Sequence, residues 1–256
     1  MDFIKTTFTA IVFQPLYNAL VALYVIIPDL GVAIVLLTIA IRFLLLPTSK
    51  KSIESQKKMQ EVQPEIKKIQ AKYKNDKQLQ GQKVMAFYKK KKINPASGCL
   101  PLIIQLIFLI ALYRVFLLAL DPNGTTDLLY SFAKDPETLN PISLGILDLS
   151  KPHIPLAIIA AALQFVQGKM MIFNNKKKQG EEKKSKSDEK KDEPDFSTML
   201  QQQMIYMGPI ITLIIGVRFP SGLILYWAIT TIFMIIQQYM ILKKDKNHNP
   251  NNLTEK

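Results

Sequence analysis

From Leu100 to Leu120 the chain runs for 21 residues interrupted only by Gln105 and Arg114, and comparable apolar blocks recur along its length. Leu30–Leu46 is broken by Thr38 and Arg42. Ile154–Phe173 carries Gln164, Gln167 and Lys169 within 20 residues, and Leu223–Leu242 is a further 20. Met204–Val217 has 14, and lengthens only by extending back through Gln201, Gln202 and Gln203. An α-helix needs about 20 apolar residues to cross a bilayer, with a range of roughly 17 to 25. Lipid offers the backbone no hydrogen-bond partner, so blocks of this kind are helices. The chain is 48% hydrophobic yet carries a net charge of +13. It holds both properties by pooling apolar residues in the blocks and lysines between them, as a multi-span membrane protein does.

Residue usage excludes several chemistries. Cys99 is the only cysteine, so no intramolecular disulfide can form. His153 and His248 are the only histidines and lie far apart. No phosphate-binding glycine loop, zinc-ligand spacing or nucleophile–base set is present. The expectation is a protein that is not an enzyme, with no catalytic residues, metal or cofactor. The basic excess points to an acidic partner, anionic lipid or RNA phosphate.

The connections set an orientation, because lysine-rich loops stay on the cytoplasmic side. Pro47–Cys99 has 14 lysines against four acids, and Asp121–Lys151 has two against five. Asn174–Gln203 has eight lysines against seven acids, and the tail from Lys243 has four against two. Five spans then place the N-terminus outside and the C-terminus inside. The stretch Phe8–Ile27 is long enough to span but contains Gln14, Pro15 and Asn18, with only Lys5 before it as a positive charge. It reads as a sixth span, as a helix lying on the membrane surface or, less well, as a signal peptide, since it lacks a basic start and a small-residue cleavage site.

Within Pro47–Cys99, Met59, Val62, Ile66, Ile69 and Tyr73 recur at helical spacing, and Val84, Phe87 and Lys91 continue on a second piece, with Phe87 and Tyr88 as its aromatic residues. Asn75-Asp76 between them reads as a turn, and Pro64 as a helix start or break. The expectation is a helical hairpin, apolar on one side and lysine-rich on the other. Lys176–Pro194 mixes both charge signs with almost no apolar residue and reads as a solvated, mobile loop.

Arg42 stands out among the candidate functional residues. A charge at the centre of a spanning helix costs about 2.5–3.5 kcal/mol on insertion scales, and such a residue is a functional candidate. The competing explanation is snorkelling, because Arg42 lies only five residues before Pro47. Thr38, one turn away on the same face, suits a polar lining. Gln105, Gln164, Gln167, Gln237 and Gln238 add polar groups to other spans. Singly, each is explained as helix–helix glue; together they point to a shared wet cavity opening to the cytoplasm. Arg114 and Arg218, near the outer ends, read as snorkelling residues.

Several motifs, in order along the chain, resemble the YidC insertase family. They begin with Phe13-Gln14-Pro15-Leu16-Tyr17-Asn18, Leu37-Thr38-Ile39 through Arg42, Lys58-Met59-Gln60 and Gln63-Pro64-Glu65. Lys72-Tyr73-Lys74, Ile93-Asn94-Pro95 and Gly98-Cys99-Leu100-Pro101 with Gln105 follow. Phe219-Pro220-Ser221-Gly222-Leu223, Leu225-Tyr226-Trp227 and Gln237-Gln238 complete the set. The absence of a large outer domain after a first span resembles the short bacterial type. Leu106 departs from the pattern, which often has proline there.

The resemblance implies an all-α integral membrane protein with five transmembrane helices, an N-terminal interfacial helix and a cytoplasmic helical hairpin. The implied organisation is an interfacial amphipathic helix over residues 1–27 and spans at 28–47, 100–120, 154–173, 201–218 and 222–242. Residues 48–99 form the cytoplasmic hairpin, 121–153 an extracytoplasmic loop, 174–200 a flexible cytoplasmic loop and 243–256 a basic cytoplasmic tail. It implies insertion and chaperoning of nascent membrane proteins, with or without the Sec translocon, through a groove open to the cytoplasm and to lipid. Arg42, Thr38, Gln105, Gln164, Gln167, Tyr226 and Trp227 would line that groove, while Met59, Pro64, Tyr73 and Tyr88 would shape the hairpin. The implied setting is the inner (plasma) membrane, as a monomer, with anionic lipids, the Sec translocon and the ribosome as further partners. The alternative class is a small-solute or ion transporter built on a polar intramembrane groove. A transporter favours internal repeats, and none is visible. A bare membrane anchor for the hairpin leaves Arg42 and the glutamines without a role.

Overall fold

The computed structural model of the chain describes residues 6–94, 100–119, 128–134, 136, 139–182 and 196–247. Pro95 and Cys99 of the motifs, most of the expected mobile loop and the end of the tail lie outside these residues. A π-helical turn, Thr9–Phe13, leads into α1, Gln14–Ile26. Pro15 has no N–H to give the preceding turn, and Gln14 donates instead to Thr9 O, five residues back. Next come α2 (Leu30–Leu44), α3 (Leu46–Glu61), α4 (Gln63–Lys72), α5 (Lys77–Lys90) and α6 (Leu100–Ala119). After a two-stranded antiparallel hairpin, β1 (Ile142–Ser143) and β2 (Leu147–Asp148), the chain forms α7 (Ile154–Glu182), α8 (Phe196–Gly216) and α9 (Ser221–Asn247).

The protein is thus an α-helical membrane protein whose β-hairpin was not expected from the sequence. Thr6–Ile26 and Ser221–Ile241 each have the length and hydropathy of a complete span. Leu30–Leu44 and Leu46–Met59 make a third if the pair, bent by 65°, is one span. The bend falls just before Pro47, which sits in the first turn of α3 where its missing N–H is tolerated. Ile103–Leu118, Ile154–Met170 and Tyr206–Gly216 are shorter apolar helices. Among the described residues, length and composition alone therefore mark two or three spans where five were expected. Helix α7 runs on to Glu182, past the apolar block and into the segment expected to be a mobile loop.

The chain divides into two compact units. The first comprises Met1–Leu45, Ile104–Phe165 and Met207–Met234, the second Leu46–Ile103, Val166–Tyr206 and Ile235–Lys256. In the first unit, Phe13, Leu16, Tyr17, Leu20, Val21 and Tyr24 form a buried stripe on α1 and the turn before it. Their spacing of three and four puts them on one face. They share a core with Ile34, Leu37 and Ile41 of α2, Leu112, Val115 and Phe116 of α6, and Leu223 and Tyr226 of α9. A smaller cluster joins Ala160 of α7 to Ile224 and Ala228 of α9. Gly222 is buried where a Cβ would run into the Phe116 ring.

The outer faces of this unit are apolar too. Ile107 and Ile110 of α6, Ile158 and Ile159 of α7, and Ile210 and Ile214 of α8 are all exposed. Soluble proteins rarely expose contiguous apolar surface on that scale; hydrocarbon is the solvent these faces match. Helix α1 and the turn before it also expose apolar residues, Ile11, Val25 and Ile26. The polar residues of α1 turn towards the connection between α6 and α7. Gln14 Nε2 and Asn18 Nδ2 donate to Leu128 O at 3.3 and 2.8 Å, and Asn18 Oδ1 accepts from Tyr130 N at 2.7 Å. Near the end of α1, the Tyr24 hydroxyl accepts from Asn140 N at 3.0 Å.

In the second unit, α4 and α5 pack as a helical hairpin. The break between α3 and α4 falls at Val62, with Pro64 in the first turn of α4. Asp76 caps α5, its carboxylate accepting from Leu79 N at 2.9 Å.

Candidate functional site

Arg42 sits in the last turn of α2, where the helix dipole favours a cation. The residue is only 8% exposed, which does not fit a snorkelling side chain whose head reaches solvent. Arg42 Nη2 donates to Gln105 Oε1 of α6 at 2.5 Å, and the Tyr226 side chain of α9 lies beside the guanidinium. Among the described residues no carboxylate pairs with it. Arginine has only donors, so Gln105 must turn its carbonyl oxygen to the guanidinium. That leaves Gln105 Nε2 buried without a partner, and Thr230 Oγ1, beside Tyr226, is buried and unpartnered as well. Three helices of the first unit thus bring Arg42, Gln105, Tyr226 and Thr230 together around an uncompensated positive charge. Such a group is costly in an apolar setting and attracts a negative one strongly when it arrives.

The other expected groove residues are placed differently. Thr38 is buried on the same face of α2 as Arg42, but its hydroxyl donates back to Ile34 O at 2.6 Å. Trp227 is half-buried, whereas its neighbour Tyr226 is fully buried. Successive residues are about 100° apart around a helix, so the pair does not share one face. Gln164 of α7 accepts a hydrogen bond from the Thr212 hydroxyl of α8 and lies against Gly208; it joins two helices and is not part of the Arg42 cluster. Gln167 is half-buried in the second unit. There, Gln237 and Gln238 are buried, and Gln237 Nε2 reaches Leu46 O at 3.5 Å. Thr230 was missed in the sequence, although its position one turn after Tyr226 puts it on the same face.

The hairpin residues have local packing roles. Met59 is half-buried on α3, while Ile66 is the fully buried apolar residue of α4. Tyr73 closes α4, with Lys72 Nζ 5.7 Å from its ring centre. Tyr88 on α5 is half-buried, and burial pushes its phenol pKa up. Lys91 Nζ meets Glu65 Oε1 at 3.3 Å, and Gln80 Nε2 donates to Gln70 O at 2.7 Å. No residue of α5 is buried. Segments with so little buried surface open at low free-energy cost. No group of three or more potential metal ligands gathers among the described residues.

Comparison with known proteins gives a consistent result. The family described as 60Kd inner membrane protein matches residues 22–249. The chain is 34% identical over 216 residues to the membrane protein insertase YidC of Fusobacterium nucleatum, covering 84% of this chain and 87% of that one. It is 30% identical over 244 residues to the membrane protein insertase YidC of Rickettsia bellii, covering 92% of this chain. The match to the Syntrophus aciditrophicus protein of the same name is 34% over 233 residues, 90% of this chain. The chain spans 39% of the Rickettsia bellii protein and 36% of the Syntrophus aciditrophicus protein.

Proposed function

The chain belongs to the 60Kd inner membrane protein family, and on that premise we propose that it inserts nascent membrane proteins into the bilayer and assists their folding. It is a multi-pass protein of the inner membrane, in a family that is not catalytic in the usual sense. The observation that carries the proposal is Arg42, buried against Gln105 and Tyr226 with no carboxylate partner among the described residues. A substrate's short acidic or polar outer segment has to cross an apolar barrier. A polar groove shortens that barrier, and the arginine draws the segment in. Two charges 4 Å apart attract by about 4 kcal/mol at an effective dielectric near 20, enough to bind transiently and weak enough to release. The substrate's apolar helix then moves into lipid, which supplies the drive without nucleotide.

In this scheme α2, α6, α7, α8 and α9 span, the lysine-rich segments are cytoplasmic, and the groove opens to the cytoplasm and to lipid. Helix α1 stays beside the connection between α6 and α7 from Gln14 to Tyr24. That favours a helix embedded at the outer boundary over a sixth span. The hairpin of α4 and α5, lightly packed and basic, receives the nascent chain. Anionic lipids, the Sec translocon and the ribosome are the proposed further partners of a monomer.

Site-specific photocrosslinking from Gln105 and Trp227 to a stalled nascent membrane protein tests the proposal. Adducts with the nascent chain that disappear on its release are expected. Reconstituted protein that gives no nascent-chain adduct from either site but moves a small solute would place the chain among transporters instead.

A further inference from the structure

The β-hairpin between α6 and α7 ends in an apolar tip. Leu144 is 72% exposed and Ile146 is 86% exposed, and Ile142 on β1 is exposed as well. Ser143, between Ile142 and Leu144, is buried, and Leu144 and Ile146 lie in the turn that joins the two strands. Leu144 has φ of +50° and Gly145 φ of +72°. A turn that only reversed the chain would favour asparagine, aspartate or glycine at both positions. A leucine held at positive φ accepts conformational strain, which points to a use for its side chain.

The tip is fixed in place. Asp29 caps α2 through Val32 N at 2.9 Å. The same carboxylate accepts from Ser143 Oγ at 2.7 Å and from Leu144 N at 2.6 Å. The base of the hairpin is tied to the start of α9, where Ser221 N donates to Lys151 O, Gly222 N to Leu149 O and Ser221 Oγ to Asp148 O. Helix α7 begins at Ile154, three residues after Lys151. The hairpin therefore sits where three apolar helices, α2, α7 and α9, all begin.

We propose that Ile142, Leu144 and Ile146 form a fixed wedge that inserts into the headgroup–acyl boundary of the bilayer at the level where α2, α7 and α9 start. The partner is the lipid itself. Ile154 at the start of α7 is exposed too, and burial in lipid is the outcome that such apolar area favours over water. Clamped through Asp29, it ties the depth of α2, and with it Arg42, to the membrane surface. The inference is independent of any insertase activity.

The test uses full-length protein with Cys99→Ser and a single nitroxide-labelled cysteine at Leu144, Ile146 or Lys151, reconstituted in phosphatidylcholine–phosphatidylglycerol vesicles. Labels at Leu144 and Ile146 are expected to collide with oxygen several-fold more, relative to a water-soluble nickel chelate, than the label at Lys151. Labels at both tip positions that match Lys151 would overturn the wedge. Removing the clamp with Asp29→Ala is expected to move the tip labels towards water-like values. Unchanged values would show that the clamp does not set the depth. Because the tip side chains are exposed, the labels do not disturb the core, and helicity by circular dichroism checks each variant.

Discussion

Arg42 meets the side-chain oxygen of Gln105 at 2.5 Å across two helices, so the only strongly polar residue early in α6 is committed to the only charge in α2. The pairing neutralises nothing. Glutamine supplies an acceptor and no negative charge, and the guanidinium remains available to an incoming carboxylate.

Asp29 joins the cap of α2 to the β-hairpin. Its carboxylate accepts from Val32 N, Ser143 Oγ and Leu144 N. Asp29→Ala should cost about 1 kcal/mol from the lost cap alone, read as a lowered melting temperature in detergent.

Gly222 gives the clearest packing prediction. Gly222→Ala drives a Cβ into Phe116, and overpacking of this kind costs about 1–3 kcal/mol. A lowered melting temperature is expected. Phe116→Leu in the same chain should recover part of the loss, whereas two additive losses would show that the contact is not the cause.

Gln164 distinguishes a groove residue from helix glue. Its hydrogen bond with Thr212 is worth about 0.6 kcal/mol between membrane helices. Gln164→Leu is therefore expected to lower stability slightly and leave insertion of an acidic-tailed substrate near the unmodified level. A large loss of insertion with an unchanged melting temperature would return Gln164 to the groove.

Much of the helical layout was legible because apolar runs of spanning length leave few alternatives. The apolar block from Leu100 forms α6 as far as Ala119, Leu223–Leu242 lies inside α9, and Asn75-Asp76 marks the turn before α5. Arg42 could be singled out from its cost in lipid, but its partners could not, since they come from α6 and α9. Gln164 was indistinguishable from Gln105 in the sequence; helix packing gives one Thr212 and the other Arg42. Adjacent residues such as Tyr226 and Trp227 invite joint assignment, although helix geometry separates them. The hairpin at Ile142–Asp148 escaped notice because its strands have two residues each and are held by Asp29 and Ser221, distant in the chain.

The charge at Arg42 is the centre of the account, and insertion into proteoliposomes tests it most directly. A single-span substrate with a short acidic outer tail is presented to the unmodified protein, Arg42→Ala and Arg42→Lys, and inserted tail is scored by protease protection. The alanine variant is expected to insert the acidic tail several-fold more slowly while the lysine variant retains activity. Insertion of the acidic tail at the unmodified rate by a folded Arg42→Ala protein would contradict it.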